Sequence, residues 1–576
     1  MCSIEGRPTQ GLRTSSHGAH SVRGRWPARA GVKCQRPGYD AAMARRPRLI
    51  PVLLLLLLPT GCGGSRSRPA PTTRPAPPLP VAAEAAAEAA APAPPPRAPE
   101  LPPPTPADAP PELLFHVSVS GLDQTLAATS EWADALAPGS SQNLDAYAQR
   151  LSDPNQGFAL ALVDRTRPVF FLSLDVSGKR VLIVGRELGR AITDEWAGQW
   201  GYTVRRRDGW IAFGGAEAMR VGSDHALTRL LERSVPPGYA ATVRPAHLLQ
   251  RFHPVARALV QAVFARLAQT QQLTMTPDEL LAHGAALEEL QLTLEVDARG
   301  VALDVSARVA DATTLADFTL RQRPATHQHL LELPSVSPLF ALSGDFDVSK
   351  ASAGSKHPGV AALERQAAAL WLGPGAVLAD TAPYGLLASF AVSDGAAARK
   401  LNGRALTLRA KLGATTPDST EVVRFKPGAF RVGKIAVDEA VVHDRRPLLQ
   451  RFVDATRPML QAHAVVGGTA LEVTSPDART TMTTMLGAAR HSAPAPVADS
   501  VKAAVAASLA RHDSLLALGD LQAWAGTPAP GDRAITLGLA FASNQARAHL
   551  DLPIEQLRQA LPHFMQGLQA RRRRHP

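Results

Sequence analysis

The chain has 576 residues and carries 62 Lys and Arg against 50 Asp and Glu, a net charge of +12. The excess lies at the ends: residues 1–62 hold ten basic and two acidic side chains and residues 571–574 are four arginines, which leaves 48 of each sign in residues 63–570. A neutral body excludes nucleic-acid binding, which needs a basic stripe on the folded domain, and an aromatic content of 5% disfavours sugar recognition by exposed rings.

Residues 1–42 are rich in Arg, Gly and Ser, contain Cys2 and Cys34, and read as an over-extended start ahead of Met43. From Met43 the order is positive charge (Arg45, Arg46, Arg48), an apolar run from Leu49 to Leu58, then Pro59-Thr60-Gly61-Cys62. Ten apolar residues interrupted by Pro51 are too few to span a bilayer, which takes about twenty. They suit the core of a secretory signal, with the arginines as ordinary leader charge. The segment Pro59-Thr60-Gly61-Cys62 resembles the lipobox of bacterial lipoprotein precursors, departing from it at Pro59, where leucine is usual. The resemblance implies a signal peptide over 43–61, cleavage before Cys62, a diacylglycerol on its thiol and hence a membrane as partner. Gly63, in place of aspartate, implies the outer membrane rather than the inner. A cleaved signal beside an unmodified cysteine is the alternative. No cysteine follows in the next 514 residues, so the mature chain has no disulfide.

Residues 62–112 combine the cysteine with a Pro- and Ala-rich stretch that cannot bury enough apolar surface to offset the entropy of ordering. It is expected to be a semi-stiff tether, on the order of 100 Å long, with a short helix at Ala82 to Ala91. The texture changes at Leu113, leaving 464 residues, room for two or three domains.

Strands are expected at Leu113 to Val119, Phe158 to Val163, Val169 to Leu174 and Val181 to Val184. Tyr202 to Arg207 and Trp210 to Phe213 flank Asp208-Gly209, the residue pair of a type I′ hairpin. Leu290, Leu292, Leu294 and Val296 alternate with polar residues, as do Val301, Leu303 and Val305 after Asp297 to Gly300; that period marks antiparallel strands with one buried face. Helices are expected at Asp123 to Leu136, Ala246 to Phe252, Val255 to Leu267, Thr314 to Leu320, Ala361 to Leu372, Leu448 to Leu460 and Ile554 to Leu568. In the Val255 helix, Val255, Leu259, Ala262, Val263 and Leu267 share a face, and Pro254 belongs to its first turn.

Leu114-Phe-His-Val, Leu339-Phe-Ala-Leu and Leu515-Leu-Ala-Leu echo one another, and the hairpin at 290–309 is echoed by Ile535 to Ala542 with Arg547 to Leu552. The fold class read from this is α+β: largely antiparallel sheets with covering helices, in two similar sheet-plus-helix halves, 113–333 and 334–570. Residues 571–576 form a basic tail, read as solvated, with anionic lipid headgroups as its alternative contact.

Chemistry-bearing motifs are absent. No zinc helix, nucleophile elbow, Ser-x-x-Lys pair or phosphate loop occurs, and a body without cysteine excludes thiolate catalysis. Gly185 and Gly189 after Val181 to Val184 supply two of the three glycines of a dinucleotide-binding turn in an antiparallel setting, and read as a plain strand-to-helix turn. His327 and His329 could face one metal on a strand, but Thr326 reads as a helix cap that splays them. Asp345 and Asp347 have the spacing of one strand face; a divalent cation is weighed there against a solvated strand end. Trp196 and Trp200 share a helix face, read as packing on the following hairpin. No catalytic, cofactor or metal residue is assigned, and no cofactor.

Three functions remain. The first is a non-enzymatic envelope lipoprotein, a tethered body that contacts another envelope component, protein or lipid. The second is a carrier of a lipid or other apolar ligand, which requires a continuous apolar cavity of several hundred Å³. The third is a hydrolase with dispersed residues, in which His116, His253 or His443 would meet a carboxylate and a nucleophile in one cleft.

Overall fold

The computed structural model describes residues 109–142, 146, 159–189, 192–268, 276–311, 313–345, 358–381, 385–413, 421–443, 459–524 and 534–558. The leader, Cys62 and the tether up to residue 108 lie outside the described residues.

In the first half the strands are β1 (Leu113–Val119), β2 (Val169–Leu174), β3 (Val181–Arg186), β4 (Thr203–Arg207), β5 (Trp210–Gly214), β6 (Tyr239–Val243), β7 (Leu287–Asp297) and β8 (Gly300–Val309). The second half contributes β9 (Pro338–Asp345), β10 (Trp371–Asp380), β11 (Leu386–Val392), β12 (Glu421–Val432), β13 (Ile435–His443), β14 (Met459–Val466), β15 (Thr469–Ser475), β16 (Leu515–Gly519), β17 (Ile535–Ala542) and β18 (Gln545–Pro553). Helices are α1 (Leu122–Leu136), α2 (Asp194–Gln199), α3 (Ala216–His225, continued by a π turn), α4 (Pro245–Ala268), α5 (Pro277–Ala285), α6 (Thr314–Arg321) and α7 (Gln328–Leu331). They continue with α8 (Pro358–Leu370), α9 (Gly395–Gly413), α10 (Ala478–Ala489) and α11 (Asp499–Arg511).

Among the described residues all eighteen strands join one antiparallel sheet. Its centre is the pairing of β8 with β18, in which Val305 faces Ala548 and Leu303 faces Leu550. Outward from β8 the order is β7, β6, β1, β2, β3, β5, β4. Outward from β18 it is β17, β16, β9, β10, β11, β15, β14, and then the hairpin β13–β12. The two halves therefore repeat one strand order about the central pair, and the β12–β13 hairpin is an addition to the second. The echo of Leu114 with Leu339 falls on equivalent strands, β1 and β9. Leu515 opens β16, which takes the place of β6.

Directly opposed residues in an antiparallel pair share a face. At the joint, Leu294, Leu303, Leu550 and Leu537 line up on one face, and Thr293, Asp304, His549 and Gly538 on the other. This is the alternation visible along the chain. Gly300 has φ +154°, and a Cβ there would lie 2.3 Å from the Leu552 carbonyl oxygen of β18, so a side chain would prise the joint apart. The Asp208-Gly209 turn has φ of +51° and +77°, as a type I′ hairpin demands.

Further out, both faces are covered. Leu182 and Val184 pack with Ala218 and Met219 of α3, while Ile183 packs on the opposite face with Ile211 and Phe213. In the second half Leu378, Leu387, Leu471 and Val473 bury against Met482, Met485 and Leu486 of α10 and Val501 and Val505 of α11. Each fully buried side chain of this kind contributes about 1.5–3 kcal/mol.

Several expectations need correction. The run expected as a strand at Phe158 to Val163 is a 3₁₀ turn, Ala159–Leu162, followed by a single bridge from Val163 to Glu187. Burial of Leu160 and Val163 in the core, not strand pairing, explains its apolar character. The helix expected at Leu448 to Leu460 falls partly outside the described residues; Met459 and Leu460 open β14, held by pairing with Val442 and Val441. Helix α8 stops at Leu370 because Trp371 already pairs with Val392. The helices expected at Ala246 to Phe252 and Val255 to Leu267 are the two arms of α4, which kinks at Phe252, and Val255 and Leu259 are each 67% exposed. The closing helix begins at Ile554, and its part beyond residue 558 lies outside the described residues.

Candidate functional site

The residues singled out in the sequence do not converge. His116 sits on β1, buried, and burial and then Arg233 lower its imidazole to about 4. His253 is exposed in α4 and His443 ends β13. Trp196 stacks on Tyr202 at 6.0 Å and meets Phe213 edge-on, within the first-half core. Trp200 caps α2, and its carbonyl accepts a hydrogen bond from Lys179. Gly185 belongs to β3 and packs against Val163, which leaves no cradle for a phosphate.

His327 has φ +54° and caps α7, so the two histidines part. The His327 ring lies 3.1 Å from Ser343 Oγ through Nδ1 and 2.9 Å from Ser508 Oγ through Nε2, and burial lowers it to about 4. His329 turns instead to Ser389 Oγ, at 2.8 Å. Asp345 ends β9 with its carboxyl raised by burial, while Asp347 lies outside the described residues. A serine, a histidine and Asp513 thus stand in one chain of contacts, Ser508 bonding to both His327 and Asp513. All three are buried, so the group ties α7, β9 and α11 together. Among the described residues no group of three or more His, Cys, Asp or Glu is placed to hold a metal ion.

The arrangement with room for a ligand lies elsewhere, between α8, α9 and the sheet of the second half. Asp394 accepts hydrogen bonds from the backbone N–H groups of Ala396 and Ala397 and so starts α9. Ala398, Leu401, Asn402 and Ala405 recur at helical spacing and face the sheet. On the sheet Asp438, His463 and Glu472 are successive cross-strand partners on β13, β14 and β15 and therefore share a face. Arg399 of α9 grips Asp438, its Nε donating to Oδ2 at 2.8 Å, and the Gly428 N–H donates to Oδ1 at 2.7 Å. Burial alone would raise the Asp438 carboxyl; these donors outweigh it and hold it below the usual range. Gln461 Nε2 donates to Glu472 at 2.6 Å.

Beside this polar seam is a cavity of about 210 Å³, walled by Val360, Leu363, Ala367 and Leu370 of α8, by Trp371, Phe390 and Val392, and by the α9 stripe. Trp371 and Phe390 meet edge to face at 6.0 Å. Phe390 fits because its cross-strand partner is Gly375, where a Cβ would stand 2.5 Å from the ring. Glu364, Asn402, His463 and Glu472 supply the polar part of the lining. His463 is 6% exposed, and burial lowers it to about 4, so it is a neutral imidazole at neutral pH. Its Nδ1 and the Asn402 Nδ2 are buried with no hydrogen-bond partner among the described residues. Buried polar atoms of this kind are rare, because each carries an uncompensated desolvation penalty of about 1–3 kcal/mol.

The repeated strand order supplies an internal comparison. In the first half the equivalent space, under α1 and α2, is filled by Leu126, Trp196, Tyr202 and Phe213. The second half has the same layers with small alanines in α9 and a polar pair. His463 and Asn402 were not singled out in the sequence. Their signal is a polar residue within an apolar stripe: Asn402 at the fourth position after Ala398, and His463 at an inward position of β14. Compared with family models, with curated proteins and with solved structures, the chain matches none of them.

Proposed function

We propose that this chain is an envelope lipoprotein whose folded body is a non-enzymatic binding module, held by an acylated Cys62 and a Pro- and Ala-rich leash. The observation that carries this reading is the order of leader arginines, six leucines, Gly61 and Cys62, with no later cysteine. Several acyl chains together anchor stably at about 0.8 kcal/mol per buried methylene. The body supports binding over catalysis: its Ser508–His327 contact is enclosed, whereas its cavity is walled by apolar side chains with a small convergent polar set, as ligand sites are.

A cavity of about 210 Å³ favours a small apolar ligand over a lipid, since pockets for larger ligands run to about 300–1,000 Å³. The anchor is tested by expressing the chain from Met43 with and without Cys62→Ala and fractionating membranes. Wild type in the outer-membrane fraction and the variant released is the expected result; equal release of both overturns the reading.

A further inference from the structure

We propose that helix α4 docks the body onto an anionic lipid surface, inserting Phe252, Val255 and Leu259 among the headgroups. The proposal rests on the envelope-anchor reading above and gives the body its own reversible hold on the membrane. α4 and α5 pack along each other: a Cβ on Gly284 would stand 2.9 Å from Leu249 Cδ1, Arg257 pairs with Asp278 at 3.2 Å, and Ala256 and Val260 are half-buried. The neighbouring face of α4 is open. Val255 and Leu259 lie one turn apart and share it, each 67% exposed, and Phe252 at the kink is 37% exposed. A surface helix ordinarily turns such a stripe toward a core. The repeated strand order does not require this helical pair. β16 and β17 stand in the second half where β6 and β7 stand in the first, and residues 520–534 join them, against residues 244–286 here. The pair is an addition to the first half, and an added element with an open apolar stripe marks an interaction site.

The point at which the chain enters the body selects the occupant. The described body begins at Ala109, and residues 63–108 lead to it from Cys62. That entry lies at the root of α4. Arg244, the residue before the helix, donates from its backbone N–H to the Leu114 carbonyl at 3.1 Å and from Nη1 to the Pro110 carbonyl at 3.1 Å. Arg251 of the first arm bonds to Asp175 at 2.8 Å, and the Asp175 N–H donates to the Glu112 carbonyl at 2.7 Å. A body held through Cys62 therefore has α4 beside its point of attachment. Charge agrees. Residues 245–268 hold Arg251, Arg257 and Arg266 with His247 and His253, and no Asp or Glu. Asp175 and Asp278 balance two of the arginines, but the Arg251 and Arg257 side chains are 50% and 49% exposed, and such surface pairs give way to a phosphate at little cost. A basic amphipathic helix of this kind lies in the interface plane, its apolar face about 5–10 Å into the headgroup boundary. The stripe supplies the hold, and the arginines supply the preference for anionic lipid.

The test uses the mature chain with Cys62→Ala, which removes the acyl anchor and leaves no cysteine. It is sedimented with vesicles of phosphatidylglycerol and phosphatidylcholine in equal parts, and of phosphatidylcholine alone. Binding to the mixed vesicles is expected, about threefold or more above phosphatidylcholine alone, and Val255→Asp with Leu259→Asp should weaken it about tenfold. No sedimentation with the mixed vesicles, or sedimentation that the double substitution leaves unchanged, overturns the docking, and equal binding to both vesicles overturns the anionic preference. A second measurement needs no disruptive variant: Leu259→Cys in the same background takes a single environment-sensitive fluorophore, whose emission should shift to the blue on the mixed vesicles. An unshifted emission overturns insertion at this face. A dimer in gel filtration that the double substitution dissociates would give the stripe to a second copy and overturn the lipid surface. Every arm lacks the acylated sulfur, so failure here leaves the anchor standing, and failure of the anchor is read separately by fractionation.

Discussion

His463 makes the stability of the second half depend on pH in a way that can be calculated. Its imidazole has an ordinary value of 6.5 in the unfolded chain and about 4 in the folded body, where Asp438, Arg399 and Glu472 are its charged neighbours on the sheet face and α9. The folded value is the depressed one, so the contribution to stability is complete above pH 6.5. It is lost as pH falls toward about 4, because the unfolded chain takes up a proton that the core refuses. At pH 5 the loss from this one group is about 2 kcal/mol. His463→Leu removes the titration altogether. Urea unfolding, followed by tryptophan fluorescence at pH 7.5 and pH 5, should show the stability of the variant relative to wild type moving by about 2 kcal/mol in the variant's favour at the lower pH. His116 and His327 are also lowered to about 4, and they weaken both proteins alike. A difference that stays constant within about 0.5 kcal/mol between the two pH values would refute the buried, neutral imidazole.

Asp438→Asn leaves the Arg399 guanidinium without its carboxylate. Arg399 is 38% exposed and can turn to water, so the expected loss is about 2 kcal/mol, below the ~3–5 kcal/mol of a fully buried pair; unfolding midpoints of Asp438→Asn, Arg399→Gln and the double variant measure the coupling. Ala548→Pro places a residue with no N–H in β18, between Val305 of β8 and Leu539 of β17, and the lost ladder hydrogen bond costs about 1–3 kcal/mol before any clash of the ring. Circular dichroism and gel filtration should find it unfolded or expanded; a variant as stable as wild type would mean that β18 is not the centre of the sheet.

What could be read along the chain was local. Asp208-Gly209 named its own turn, and the alternation from Leu290 to Val305 named its own hairpin, because turn chemistry and face period are carried by neighbouring residues. The α+β class followed from the same signals. The pairing of β8 with β18 was not legible: Asp304 and His549 lie 2.8 Å apart across 245 residues, and nothing in either strand names its partner. The hairpin of β12 and β13 was hidden by Pro427-Gly428 inside an otherwise regular run. Periodicity read the α4 stripe as one face of a helix, but spacing tells which side chains lie together and not what covers them: Val255 and Leu259 are exposed. The candidate site was missed for a related reason. Asn402 and His463 are separated by 61 residues, and each is ordinary alone. Only the packing of α9 on β14 makes them a pair.

The envelope anchor stands or falls on the chemistry of one sulfur atom. Mass spectrometry of the amino-terminal peptide, taken from membranes of the native host, should find it beginning at Cys62 and carrying a thioether-linked diacylglycerol. A retained leader, or a free thiol on Cys62, would contradict the envelope anchor and with it the proposed role of the body.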